Sequence, residues 1–280
     1  RLRATEALSF IVGSRLSWSD YSSRSPYTTA SFDSGRQFIP YAGVVHDLSS
    51  AHALYASYTD IYSIQQYYSP SGLLDPVKGK NYEAGVKSQF FDGRLQTALA
   101  VFQTDQLNLP VALSMASTCG LSGGARCYTE GAKVRNRGID LEVTGSPAPG
   151  WNVAAGFTFS DPKYVAGPNA GKHYNTTLPR KVFKLSTDYR LPGGRWRVGG
   201  SVQAQSAMSH DGAGFRIQQG GYTLLNLHAG YQFTSRLRLQ VNVRNALDKH
   251  YYQTIPTNNN YGGVFAGTPR SFAVTLRYDY

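Results

Sequence analysis

The hydropathy of this chain alternates with a period of two residues, and the C-terminal segment SFAVTLRYDY shows the pattern most plainly. Every second position of that segment carries an apolar or aromatic residue: Phe272, Val274, Leu276, Tyr278 and Tyr280. Successive side chains of a β-strand point to opposite faces of its sheet. The alternation therefore predicts a strand with one apolar face and one polar face, and a chain that ends on it.

The same alternation recurs in twelve segments of the sequence, most of them ten to fourteen residues long. They cover residues 5–18, 37–47, 53–63, 81–91, 94–104, 133–145, 151–160, 181–190, 195–205, 222–233, 236–245 and 270–280. Gly, Pro, Asn and Ser are concentrated between the segments, where turns require them. We therefore predict an all-β, antiparallel chain of about twelve strands.

The connections between these segments are alternately short and long, which decides between two all-β architectures. Residues 91–94 and 191–194 are short turns, whereas 105–132 and 246–269 are long connections. A transmembrane barrel has tight turns on one side of the membrane and long loops on the other, but a β-sandwich needs no strict alternation. Because backbone groups in lipid must all be paired, such strands close either on each other or on neighbouring strands outside this sequence. The pattern predicts a transmembrane β-barrel.

Composition excludes several other classes of protein. We find no run of 18 apolar residues, so no transmembrane helix is predicted. The first ten residues contain no apolar core of a signal peptide and already alternate, so we expect the chain to be part of a longer precursor. The net charge is +11, but Lys and Arg are scattered singly. We therefore predict no nucleic-acid partner.

The two cysteines, Cys119 and Cys127, lie eight residues apart in a glycine-rich stretch. We predict a disulfide across a loop in an oxidising compartment, since no nearby histidine completes the alternative, a zinc site. The six histidines also lack metal-ligand spacing, so no metal site is predicted. Residues 209–211 read Ser-His-Asp, but the residues of a catalytic triad converge in space rather than in sequence. We predict no enzyme.

Six stretches of the sequence go beyond a generic barrel pattern. They are HALYASYTDIY (52–62), the segment 73–104, the segment 133–161, LPRKVFKLSTDYRLPG (178–193), VNVRNALDKHYY (241–252) and GTPRSFAVTLRYDY (267–280). In this order and spacing they resemble the C-terminal part of TonB-dependent ferric-siderophore receptors. The resemblance covers nearly the whole chain and is weakest in the loops near 19–36 and 105–130.

The resemblance implies a multi-pass protein of the bacterial outer membrane. Its barrel would have roughly 22 strands around a plugged lumen, with residues 1–280 as the C-terminal part, lacking the plug domain and the N-terminal strands. The implied function is active import of ferric siderophores, with energy relayed by TonB through the missing N-terminal region. Outer-membrane lipid would be a further partner. Iron belongs to the siderophore ligand, so no cofactor is expected.

A ferric siderophore site on the outer side would be built from aromatic and cationic side chains on loops and strand ends. The candidate residues are Tyr62, Tyr67, Tyr68, His210, Phe215, Arg216, Tyr261 and Phe265. Tyr62 and Tyr261 rank first because both lie close to predicted strand ends. The alternative for each candidate is packing against neighbouring loops. The loop residues carry no pattern that would distinguish a siderophore from vitamin B12, haem or another metal complex.

Charged residues on the polar face form a second set of candidates. Glu83 and Lys87 share the polar face of one predicted strand, and Asp140 and Glu142 share that of another. Opposite charges in the lumen can pair across strands, which makes their burial against a plug tolerable. The alternative is a water-filled lumen in which these charges are solvated independently.

Two other functions are compatible with parts of the pattern. The even strand count also allows a self-contained twelve-stranded barrel that acts as a passive pore or translocator, which would conduct ions without any ligand. A barrel-embedded hydrolase would need a Ser–His pair at one height on neighbouring strands. The six stretches above favour the receptor over both.

Overall fold

The computed structural model describes residues 1–24, 29–33, 35–113, 127–212, 215–255 and 263–280. Within these residues no helix is long and apolar enough to cross a membrane. The strands are β1 (Leu2–Arg3), β2 (Leu8–Ser17), β3 (Asp20–Arg24), β4 (Thr29–Asp33), β5 (Gln37–Asp47), β6 (His52–Ser63), β7 (Tyr68–Ser69), β8 (Gly72–Leu73), β9 (Val77–Phe90), β10 (Leu95–Ala112), β11 (Tyr128–Ala148), β12 (Trp151–Ala166), β13 (Lys181–Arg190), β14 (Trp196–Gln205), β15 (Met208–Gly212), β16 (Phe215–Gln219), β17 (Tyr222–Gln232), β18 (Leu237–Arg244), β19 (Tyr252–Thr254), β20 (Phe265–Ala266) and β21 (Ser271–Tyr278).

Thirteen strands of the described residues form one antiparallel sheet, and they are hydrogen-bonded to one another in the order in which they occur in the chain. The order is β1-β2-β5-β6-β9-β10-β11-β12-β13-β14-β17-β18-β21. The remaining eight described strands form four hairpins, β3–β4, β7–β8, β15–β16 and β19–β20, each inserted in one long connection. All twelve predicted segments are therefore strands, and the two-residue β1 is added beside β2.

Three strands extend well past the predicted ends. The β10, β11 and β12 strands have 18, 21 and 16 residues and reach into the regions 105–132 and 161–180, which the sequence pattern had assigned to loops. That prediction used about ten residues, the length that crosses lipid. The extensions have a small core of their own around the buried Leu109, Ala132 and Val134, and this core keeps the strands paired beyond the apolar band.

The sheet has two chemically distinct faces. On what we call the apolar face, Phe272, Val274 and Leu276 of β21 are 65–70% exposed. They lie opposite Val243, Val241 and Leu239 of β18, which continue the same row. Soluble proteins rarely leave contiguous apolar surface of this kind uncovered, so the row indicates contact with lipid. The other, polar face carries side chains such as those of residues 240, 242, 273 and 275.

The chain divides into two compact units. The first comprises Arg1–Gly85, Val101–Gly138 and Asp161–Tyr174, and the second comprises Val86–Ala100, Ile139–Ser160 and Asn175–Tyr280. The first unit contains the hydrophobic core around Leu109. The second contains a buried asparagine that organises the connection between β18 and β21.

That asparagine is Asn245, which is 4% exposed and has a φ of 47°. Its Nδ2 donates hydrogen bonds to the carbonyls of Lys249 at 2.9 Å and Thr268 at 3.1 Å. Its Oδ1 accepts a hydrogen bond from the backbone N–H of Lys249 at 2.8 Å, and its own N–H donates to Asn226 Oδ1 at 2.9 Å. We call this arrangement the Asn245 clamp. Asn tolerates the left-handed conformation better than most residues, which suits this position.

We expect Asn245→Asp to lower the free energy of unfolding by about 2–4 kcal/mol, because two buried carbonyls lose their donor and face a carboxylate instead. The measurement is guanidinium unfolding of the protein refolded in detergent. The matched control is Asn242→Asp on β18, the strand that leads into the clamp. Its Oδ1 only accepts a hydrogen bond from Gln240 Nε2, which an aspartate can still do. Equal losses in the two variants would contradict a structural role for the clamp.

Candidate functional site

Four tyrosines of the first unit gather beyond the apolar band, at the ends of strands that lead into long connections. We call Tyr67, Tyr128, Tyr164 and Tyr174 the tyrosine cluster. The ring centroids of Tyr67 and Tyr128 are 4.6 Å apart, and those of Tyr164 and Tyr174 are 5.3 Å apart in an edge-to-face arrangement. Burial, and after it the neighbouring Tyr67 phenol, raise the pKa of Tyr174 above its ordinary value. The influence of the Tyr67 phenol on Tyr174 links the two ring pairs electrostatically.

The tyrosine cluster rests on the strand extensions. Leu109 of β10 and Ala132 and Val134 of β11 are buried, and Tyr164 and Tyr174 pack against them. Tyr128 begins β11 and Tyr164 lies near the end of β12, so two of the four rings are carried by strands. Aromatic pairs of this geometry contribute about 0.5–1.5 kcal/mol beyond their area burial, which helps to order the cluster.

Gln65 holds the connection that carries Tyr67. Its side chain is 6% exposed, and its Nε2 donates hydrogen bonds to the carbonyl of Asn108 at 2.9 Å and to that of Asp75. Glu130 of β11 accepts a hydrogen bond from the backbone N–H of Asp75 at 2.6 Å. The connection is thereby fixed to β10 and β11, which keeps Tyr67 beside Tyr128.

Two polar atoms near this connection are buried without a hydrogen-bond partner among the described residues. They are the Tyr62 hydroxyl and Gln65 Oε1. Tyr62 ranks first with Tyr261 among the candidate ligand residues, but the Tyr62 hydroxyl is reachable only if neighbouring side chains move. Tyr67, in contrast, is 40% exposed, and Tyr68 lies in β7 opposite Leu73. The contact of any of these tyrosines with a ligand stays a prediction.

The other candidates lie on two hairpins of the second unit. His210 and Phe215 belong to the β15–β16 hairpin, where their ring centroids are 6.1 Å apart. Arg216 of the same hairpin pairs with Asp211 at 3.3 Å on the exposed surface. Phe265 is exposed on β20. The two hairpins are joined by a hydrogen bond of 2.8 Å from the Tyr252 backbone N–H to Gln219 Oε1.

Two predicted residues, Tyr261 and Cys119, lie outside the described residues. Cys127 is fully buried, and its predicted disulfide with Cys119 stays a prediction. Among the described residues, no group of three or more His, Cys, Asp or Glu side chains could hold a metal ion.

The predicted polar-face charges lie on the strands where the pattern placed them. Glu83 on β9 accepts a hydrogen bond of 2.6 Å from the hydroxyl of Tyr55 on β6, so an uncharged phenol contacts this carboxylate. Lys87 also lies on β9, and Asp140 and Glu142 lie on β11. The pairing of opposite charges that we expected for this set stays a prediction.

An ion-pair network that sequence reasoning missed lies on the polar face of the second unit. Arg197 Nε contacts the two carboxylate oxygens of Asp188 at 2.6 and 2.7 Å, and His228 Nε2 lies 2.9 Å from Asp188 Oδ2. Gly199 lies between Asp188 and His228 in the strand register. A Cβ atom at Gly199 would come within 2.7 Å of the His228 ring, so the glycine leaves the space that this contact needs. The network borders a cavity of about 420 Å³ whose lining includes Arg190, Arg195 and Arg238.

Comparison with known proteins identifies the sheet. A family model described as "TonB dependent receptor-like, beta-barrel" matches residues 1–246. The chain belongs to this family. Its polar face is thus the face that lines the lumen of such receptors, and its apolar face is the face in contact with lipid. The predicted all-β, antiparallel membrane barrel of the bacterial outer membrane is confirmed at the level of the family.

Similar TonB-dependent receptors include proteins of known cargo. The ferric-pyoverdine BN7/BN8 receptor of Pseudomonas putida is 35% identical over 290 residues, a match that covers 100% of this chain and 33% of that protein. The crystal structure of the outer-membrane ferripyoverdine receptor of Pseudomonas aeruginosa bound to ferripyoverdine is 32% identical with a TM-score of 0.84. That match covers 99% of this chain and 37% of the solved one. The chain spans about a third of the length of the curated relatives.

We expect Tyr62→Phe to leave the free energy of unfolding unchanged, or to raise it by up to about 1 kcal/mol, because the deleted hydroxyl is buried and unpaired. The matched control on the same strand is Tyr55→Phe, which deletes the hydrogen bond to Glu83 and should lower stability by about 1 kcal/mol. Chemical unfolding in detergent measures both. If Tyr62→Phe lost as much stability as Tyr55→Phe, the Tyr62 hydroxyl would have a partner.

Proposed function

We propose that this chain belongs to an outer-membrane receptor that binds a ferric siderophore and imports it with energy relayed by TonB. Family membership supports this function, and the names of several relatives support the cargo. Three relatives that are 34–36% identical to the chain are ferric-pyoverdine or ferripyoverdine receptors. We therefore take a siderophore of the pyoverdine class as the cargo. The alternative of a passive pore finds no support among these relatives.

The tyrosine cluster is the observation that carries a binding function for this part of the receptor. The β11 strand has 21 residues, and at a rise of ~3.3 Å per residue it is about 70 Å long. Even with a tilt of about 45° it extends about 50 Å along the membrane normal, well beyond an apolar band of ~25 Å. Tyr128 at its start therefore lies beyond the lipid on the side of the long connections.

The chemistry of the cluster suits an organic iron chelate. The siderophore itself supplies the iron ligands, so the receptor needs apolar contact surface and a few hydrogen-bond donors rather than a metal site. Tyrosine offers both, because its ring faces contact flat or aliphatic groups and its hydroxyl can donate to chelate oxygens. Tyr67 is the most accessible ring of the first pair, since 40% of its surface is exposed.

We expect Tyr67→Ala and Tyr128→Ala, each in the full-length receptor, to weaken binding of ferric pyoverdine by about tenfold. Each substitution removes one ring of the tilted Tyr67–Tyr128 pair. Affinity is measured by quenching of intrinsic fluorescence during titration, and import by uptake of radiolabelled iron into cells that lack other receptors for the same siderophore.

The matched control is Tyr231→Ala, which also removes one ring of a pair. Tyr231 lies 4.7 Å from the Trp196 ring, at the short-turn end of β14 and β17. It should bind and import like the unsubstituted receptor. Full affinity in the Tyr67 and Tyr128 variants would show that the tyrosine cluster is not part of the binding site. Loss of import without loss of affinity would assign these residues to a later step.

A further inference from the structure

The apolar face of the second unit carries a groove at its long-connection end. The groove has a volume of about 630 Å³, and its floor includes Phe157, Phe183, Ala204 and Thr223. These residues form one row across four strands, because Phe157 lies opposite Phe183, Phe183 opposite Ala204, and Ala204 opposite Thr223. The row is a single layer of the face that contacts lipid.

The shape of the groove follows from the size of the residues in this row. Two phenylalanines on β12 and β13 stand beside the small Ala204 and Thr223 on β14 and β17. The surface is therefore raised over two strands and lowered over the next two. A channel of this kind with an apolar floor matches the shape of a hydrocarbon chain, which gains van der Waals contacts with the phenylalanine rings beside it.

Two lysines stand at the rim of the groove. Lys181 is the first residue of β13, and Lys249 lies in the connection that follows β18; both side chains are exposed. The backbone of Lys181 is held by Ser206, whose Oγ accepts a hydrogen bond from the Lys181 N–H at 3.1 Å. The backbone of Lys249 is held by the Asn245 clamp. Both lysines are thus anchored where the strand row meets the long connections.

The charge of the rim is one-sided. Within the described part of the chain, the residues that line the groove include Lys181 and Lys249 and no carboxylate. Two ammonium groups above an apolar floor are complementary to a molecule with an anionic head and a hydrocarbon tail. Lysine near a membrane surface attracts anionic lipid by about 1 kcal/mol per residue, which corresponds to roughly fivefold in affinity.

We propose that this groove binds a phosphorylated lipid of the outer leaflet, with an acyl chain along the Phe183–Thr223 row and a phosphate group between Lys181 and Lys249. The long connections mark the outer side of the membrane, so the headgroup belongs to the outer leaflet. The inference goes beyond siderophore import and does not depend on the identity of the cargo. It rests only on the position of the apolar face in the outer membrane.

The test uses the full-length receptor in detergent micelles and lipid A with both phosphates as the probe. Retained lipid is counted by native mass spectrometry over a titration. We expect the double variant Lys181→Ala/Lys249→Ala to bind about 25-fold more weakly, from roughly fivefold for each lysine. The matched control is Lys184→Ala, on the same strand but on the polar face. It should bind like the unsubstituted receptor.

Two further measurements separate the contribution of the acyl chain to lipid binding from that of the phosphate group. Ala204→Trp fills the groove without changing its charge, so this variant should bind less lipid A. Dephosphorylated lipid A should bind the unsubstituted receptor as weakly as lipid A binds the double variant. Inorganic phosphate alone should not compete at millimolar concentration. Equal lipid binding by the double variant and Lys184→Ala, or full binding by Ala204→Trp, would overturn the proposal. Competition by free phosphate would also overturn it, because the two lysines would then form a site for small anions rather than for a lipid. Strand content by circular dichroism confirms that each variant is folded.

Discussion

The structure depends on one constraint, which is that backbone N–H and C=O groups in contact with lipid must find partners within the protein. An antiparallel sheet in which every strand pairs with its neighbours along the chain meets this constraint with short turns at one end. The opposite ends are then free to carry long connections, and four of these contain hairpins of their own in the described residues. The alternation of apolar and polar side chains follows, since one face meets hydrocarbon and the other does not.

The sequence contained enough information to predict the strands, because alternation over ten residues is a strong signal and each of the twelve segments carries it. The ends of β10, β11 and β12 were harder, since their extensions are held by packing around Leu109 and Val134 rather than by lipid. The tyrosine cluster shows the same limit. Tyr67 was among the candidates, but Tyr128 and Tyr164 lie on β11 and β12 and Tyr174 lies in the connection after β12. Only the fold brings Tyr128 to Tyr67.

Charged side chains are placed differently on the two faces of the sheet. On the polar face, Asp188 contacts Arg197 on the neighbouring strand and His228 on the strand beyond it, and the missing side chain of Gly199 makes room for His228. Register brings these residues together from positions 40 apart in the chain, which no local motif could reveal. On the apolar face of the second unit, the charged Lys181 is the first residue of its strand. At this strand end an anionic headgroup can meet the lysine without any charge entering hydrocarbon.

The strand extensions bear on the kinetics of the ligand binding proposed for the tyrosine cluster. Tyr128 and Tyr164 are carried by paired strands, and Tyr67 by a connection that Gln65 fastens to them. Little conformational entropy then remains to be lost when a ligand arrives, because most of the ordering took place when the sheet folded. For the binding role proposed above, we expect differences in affinity among related ligands to arise mainly in their residence times. In that role, discrimination between related chelates would be decided after the encounter, by how long each one stays.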